Sequence, residues 1–103
     1  MLCAHTVRRL RPGTFDQFVE AFVPREEDPP PGWVRFHALR NLADPDEVVT
    51  FGFFDGTLEE LEGNQDASDF AERRSAIEPM VAEVVLNGVY EVAVSRVVER
   101  PGR

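Results

Sequence analysis

Residues 2 to 10, LCAHTVRRL, form an apolar-rich run of strand length that stops at Arg11-Pro12-Gly13, which is turn chemistry. Beyond it the period changes. Thr14 and Gln17 have capping-box spacing, and Phe15, Phe18, Val19 and Phe22 recur at i, i+3, i+4 and i+7, which predicts an amphipathic helix of about ten residues. Pro24 ends it, and the acidic, proline-rich PREEDPPPG of residues 24 to 32 reads as a surface loop, because proline removes the donors a helix or sheet ladder needs. Residues 33 to 40, WVRFHALR, and 47 to 54 read as strands of an antiparallel hairpin joined by turn-forming NLADPD.

A second helical region follows. Thr57 and Glu60 repeat the capping-box spacing ahead of Leu58 and Leu61, and Gly63-Asn64 is expected to interrupt the helix. Another helical piece begins near Ala67, with Phe70, Ile77 and the stem of Arg74 on its inner face, and ends or kinks at Pro79. Asn87-Gly88 then admits two readings: a hairpin turn after a short strand at 82 to 86, or the cap of a helix reaching about Leu86. Both put the last strand at residues 89 to 98. The order β-α-β-β-α-β predicts an α+β, ferredoxin-like fold, an antiparallel sheet with two helices on one face. One domain spans residues 1 to 98, with 99 to 103 as a short tail.

Strand alternation separates two faces. Val34, Phe36, Ala38, Val49, Phe51, Phe53, Tyr90, Val92 and Val94 form one set, apolar and expected to meet the helices. Trp33, Arg35, His37, Leu39, Val48, Thr50, Gly52, Phe54, Val89, Glu91, Ala93 and Ser95 form the other, mixing aromatic and polar groups. A mixed face packs against a partner or lines a ligand cleft, and no helix remains to cover it, so a second copy of the chain is the expected cover.

Composition narrows the classes. A formal net charge of −8 disfavours nucleic acid, which recruits basic surfaces. The cluster Arg8, Arg9 and Arg11 sits beside a turn and reads as a solvated strand end. No run of ~18 apolar residues and no cleavable signal pattern occurs, so no membrane partner is expected and the chain is read as cytoplasmic. Cys3 is the only cysteine, excluding an internal disulfide and multi-cysteine metal sites; it reads as a packed small hydrophobe. No metal site is expected.

The strand leading into RPGTFDQFVEAF, the PGWVRFHALRN strand, the DEVVTFGFFDGTLEEL join and the closing GVYEVAV together resemble the antibiotic biosynthesis monooxygenase family over nearly the whole chain. The resemblance implies a homodimer, a dimeric α+β barrel in which two sheets pack face to face while each protomer keeps a cleft between sheet and helices. It also implies oxidation of aromatic substrates by dioxygen with no cofactor. It does not extend to haem-degrading relatives, which use an asparagine on strand one, a tryptophan ending strand three and a histidine on the next helix. Here Thr6 stands near the first position, Phe53 or Phe54 at the second, and no histidine follows His37.

The candidate chemistry is therefore cofactor-independent. His37 is the expected base, since histidine alone titrates unperturbed near neutrality, and Arg35 the expected stabiliser of a phenolate or oxygenated anion. Trp33 and Phe54 are expected to stack on the substrate ring, with Thr50 and Thr6 beside them. One competing reading is a non-catalytic dimer that binds a small aromatic or apolar ligand or partner through the same mixed face; another leaves His37 and Arg35 hydrogen-bonded at a subunit seam or in solvent, with Trp33 as an interface anchor.

Overall fold

The computed structural model describes residues 1–22, 31–65, 68–99 and 101. Its elements are β1 (Leu2–Leu10), α1 (Phe15–Phe22), β2 (Trp33–Asn41), β3 (Asp44–Phe54), α2 (Leu58–Gln65), α3 (Ser68–Ile77), a 3-10 turn (Glu78–Met80) and β4 (Val81–Glu91). The strands form one antiparallel sheet in the order β2-β3-β1-β4, the ferredoxin-like arrangement that the element order predicts. The loop expected at 24 to 32 falls largely outside the described residues, as does the Phe70 side chain. No helix among the described residues is long and apolar enough to cross a membrane.

The core lies between the sheet and the helices. Leu10, Phe18, Val48 and Ile77 are buried together, with Phe15, Val19, Phe22, Ala38, Met80 and Val81 packed around them. The i, i+3, i+4, i+7 stripe of α1 thus faces the sheet, and burial of Phe18 alone contributes about 1.5–3 kcal/mol. Of the two capping boxes, the one at Thr57 forms reciprocally: its hydroxyl accepts from the Glu60 N–H while Glu60 Oε1 accepts from the Thr57 N–H, both at 3.2 Å. The Thr14 hydroxyl instead donates to the Arg11 carbonyl at 2.7 Å, closing the turn before α1. α2 runs through Gly63-Asn64 to Gln65 rather than stopping there, and Asn64 Nδ2 donates to the Pro31 carbonyl at 2.7 Å, anchoring the approach to β2.

The C-terminal part differs from both sequence readings. Residues 81 to 91 are one strand, so Asn87-Gly88 is neither a hairpin turn nor a helix cap, and residues 92 to 99 lie outside any strand. Pairing with β1 decides this: Thr6 faces Asn87 and His5 faces Gly88, so the ladder runs straight through a dipeptide with turn propensity.

The face assignment of β3 is also reversed. Val48, Thr50, Gly52 and Phe54 are the buried, helix-facing set, and Phe51 and Phe53 lie on the open face. Register carries the parity across the sheet: Arg8 pairs with Val48, Thr6 with Thr50 and Ala4 with Gly52, so the even residues of β1 also face the helices. In β2, Phe36 and Ala38 face inward as expected, opposite Gly52 and Thr50. A register shift between Trp33 and Arg35 leaves Val34 as an extra residue and turns Trp33 inward beside Phe54.

Candidate functional site

A cavity of about 490 Å³ opens between the helix-facing side of the sheet and the helices, within the ~300–1,000 Å³ of small-molecule sites. Its floor is the inward parity of the sheet: Thr6 and Arg8 from β1, Thr50 and Gly52 from β3, Asn87 from β4. Phe22 at the end of α1, Trp33 and Phe36 make an aromatic wall, with Trp33 and Phe36 at 4.9 Å between ring centroids. Glu78 and Arg74 line it from the helical side.

Gly52 gives the aromatic wall its place. A Cβ there would stand 2.8 Å from Trp33 Cζ3 and 3.0 Å from Phe36 Cδ1, closer than packed carbons approach, so only glycine lets both rings lie on the sheet. Phe54, 2% exposed, meets Trp33 edge-on at 5.2 Å and supports it from behind. Gly32, at φ 86°, takes a left-handed turn directly under the Phe54 ring, where a side chain would collide with it. The Trp33 indole Nε1 is buried with no hydrogen-bond partner among the described residues.

The polar groups form two connected pairs. Arg8 Nη1 donates to Thr50 Oγ1 at 2.7 Å, and the Arg8 guanidinium lies 5.5 Å from the centre of the Phe18 ring. Because Thr50 Oγ1 accepts from Arg8, its own proton is left to donate. Thr6 Oγ1 donates to Asn87 Oδ1 at 3.1 Å, which leaves the Asn87 amide N–H groups available. Burial lowers the pKa of Arg8 from its ordinary value, yet arginine remains protonated across the physiological range. A smaller cavity of about 80 Å³ adjoins this end, lined by Arg8, Arg73, Arg74, Phe22, Phe36 and Ile77.

The structure brings Thr6, Thr50 and Trp33 together around one cavity, with Phe54 packed behind Trp33. It separates them from His37 and Arg35, which pair with Phe51 and Phe53 on the open face. His37 stacks on Phe51 at 4.7 Å and meets Phe53 edge-on at 6.1 Å. His5 meets Phe51 at 6.3 Å and Tyr90 at 6.0 Å, so rings from all four strands cross that face in one row. Cys3 lies on the same face, pairing with Phe53 and Tyr90, and burial raises its thiol pKa, which suppresses thiolate reactivity.

Among the polar residues of the cavity floor, Arg8 and Asn87 carry no functional role in the sequence reading. Arg8 reads there as part of a solvated strand end; Arg9 fits that description, bonding Asp44 at 2.6 Å at the surface, but Arg8 turns inward. Its signal was parity with the apolar Leu10. Asn87 reads as turn chemistry, and only the strand pairing shows it opposite Thr6.

No protein-family model matches the chain, and no curated protein resembles it in sequence. Solved structures do match it. One, described as a candidate antibiotic biosynthesis monooxygenase from Chloroflexus aurantiacus, is 14% identical over 95% of this chain and 98% of its own, with a TM-score of 0.78. Another so described, from Nitrosomonas europaea, is 18% identical over 91% of this chain and 100% of its own, with a TM-score of 0.74. A mutant of SnoaB, a cofactor-independent oxygenase from Streptomyces nogalater, is 13% identical over 91% of this chain and 94% of its own, at a TM-score of 0.68. At these identities the likeness is one of fold: the chain has the ferredoxin-like α+β fold of the antibiotic biosynthesis monooxygenase structures.

Proposed function

We propose that the chain is a cofactor-independent monooxygenase acting on a small aromatic substrate held in the cavity between sheet and helices. The observation that carries this reading is the cavity itself, an aromatic wall of Phe22, Trp33 and Phe36 facing the polar pairs Arg8–Thr50 and Thr6–Asn87. The fold shared with SnoaB, a cofactor-independent oxygenase, supports the reaction class.

The chemistry balances without a cofactor. A phenol with a free para position loses four electrons to one dioxygen: the para C–H becomes C=O with one oxygen atom, and the other oxygen leaves as water with the two hydrogens lost. The chain's contribution is to bind the ring on Trp33 and Phe36 and to donate to the phenolate and peroxide oxygens from Thr50 Oγ1 and Asn87 Nδ2. Donors already in place stabilise the charge as it develops on those oxygens. His37 and Arg35 fall outside this cavity, and the reading moves them to a subunit seam.

That seam is the open face. The row His37, Phe51, His5, Tyr90 leaves aromatic surface in reach of solvent, with Tyr90 48% exposed. A homodimer covers it with a second copy of the same face. A cytoplasmic setting suits its one unpaired thiol.

Oxygen uptake with 1,5-dihydroxynaphthalene tests the reaction. One dioxygen consumed per juglone formed, at a rate well above the protein-free solution and lowered at least about tenfold by Thr50→Val, is the expected result. A rate equal to that of the protein-free solution contradicts it. The location of both histidines outside the cavity favours a second reading, a dimer that binds a small aromatic ligand without turnover; saturable binding with no oxygen uptake selects that reading.

A further inference from the structure

We infer that the ligand of this cavity is an aromatic acid, whose carboxylate, separate from any reacting hydroxyl, is held by the Arg8 guanidinium where the 490 Å³ cavity meets the smaller arginine-lined one. The inference rests on the aromatic-cavity reading and adds the charge of the ligand to it.

Arg8 is on the inward parity of β1, opposite Val48, at a position of core geometry. It pairs with no carboxylate among the described residues; its partners are the Thr50 hydroxyl and the Phe18 ring face. One N–H edge is occupied by Thr50, and a guanidinium carries further donors in a fork matched to a planar carboxylate. A cation partly withdrawn from water with only neutral partners carries a desolvation cost, and an arriving anion offsets it.

The surroundings agree. Every titratable side chain lining the smaller cavity among the described residues is an arginine: Arg8, Arg73 and Arg74. The larger cavity adds Glu78, which is exposed. In a chain of net charge −8, Arg8 and Arg73 bring positive charge to this end of the cavity. The neighbouring Phe22 and Phe36 rings leave the aromatic part of the ligand on the Trp33 side. The same chemistry holds whether the ligand is oxidised or merely bound.

Isothermal titration calorimetry with 2-naphthoate and its neutral isostere 2-naphthamide tests this on the full chain at neutral pH. Wild-type protein is expected to prefer naphthoate by at least about tenfold, the ratio collapsing to within about twofold in Arg8→Gln and surviving in part in Arg8→Lys. Equal affinities for the two probes in wild type overturn the carboxylate site and leave the aromatic cavity standing. A preference that persists undiminished in Arg8→Gln also overturns it, by placing the anion elsewhere. Binding of neither probe overturns the aromatic-cavity reading and the carboxylate site together. The wild-type ratio decides even where Arg8→Gln fails to fold.

Discussion

At the scale of single residues, neighbours in sequence perform opposite tasks. Arg8 faces the cavity and Arg9 the solvent, where its Nη1 bonds Asp44 at 2.6 Å and its Nη2 lies 3.8 Å from Glu47. The bond from Arg9, with a further one from the Asp46 backbone N–H, holds the Asp44 carboxyl below its usual range. A lowered carboxyl pKa contributes stability above the unfolded value and loses it as pH falls through the folded one. Asp44→Asn should therefore lower the melting temperature at neutral pH, and the gap from wild type should close in acid below the ordinary aspartate range. Gly52 is the most sensitive cavity position. Gly52→Ala puts a methyl 2.8 Å from the Trp33 ring, and should destabilise by about 1–3 kcal/mol in denaturant titration while shifting the emission of the sole tryptophan. Which residues belong to a site was legible where the residue type was distinctive: Trp33, Thr50 and Thr6 stand out in the sequence and line the cavity. Arg8 was obscured by the arginines beside it.

At the scale of elements, the best-read signals were those that act within a few residues. The stripe Phe15, Phe18, Val19, Phe22 packs as its period requires, and the Thr57–Glu60 box forms at the start of α2. Thr57→Ala should cost about 1 kcal/mol of unfolding free energy, and Phe18→Ala about 3–5 kcal/mol, since one loses a cap and the other leaves a cavity in the core. Signals that depend on a partner strand were illegible. The bulge at Val34 reverses the parity of Trp33 relative to Arg35 and His37, and nothing in WVRFHALR marks it. The parity of β3 was equally hidden, because VVTFGFF is apolar on both faces and alternation alone does not say which one the helices cover. Asn87-Gly88, a strong local turn signal, was overruled by its ladder with β1.

At the scale of the whole molecule, the sheet separates two surfaces with different work: a cavity on the helix side and an aromatic row on the open side. If the row is a subunit seam, light scattering at micromolar concentration gives twice the chain mass. Phe51→Glu, which places a carboxylate beside His37 and His5, should shift that value to the monomer while far-UV circular dichroism is retained. A wild-type monomer contradicts the seam. Intermolecular nuclear Overhauser contacts from bound 2-naphthoate show whether the ligand enters the helix-side cavity. Contacts to the methyl groups of Thr6, Thr50 and Val84, which line the cavity, are the predicted result. Contacts confined to Val7, Val49 and Leu39, on the open face of the sheet, place the ligand outside the cavity and contradict this reading.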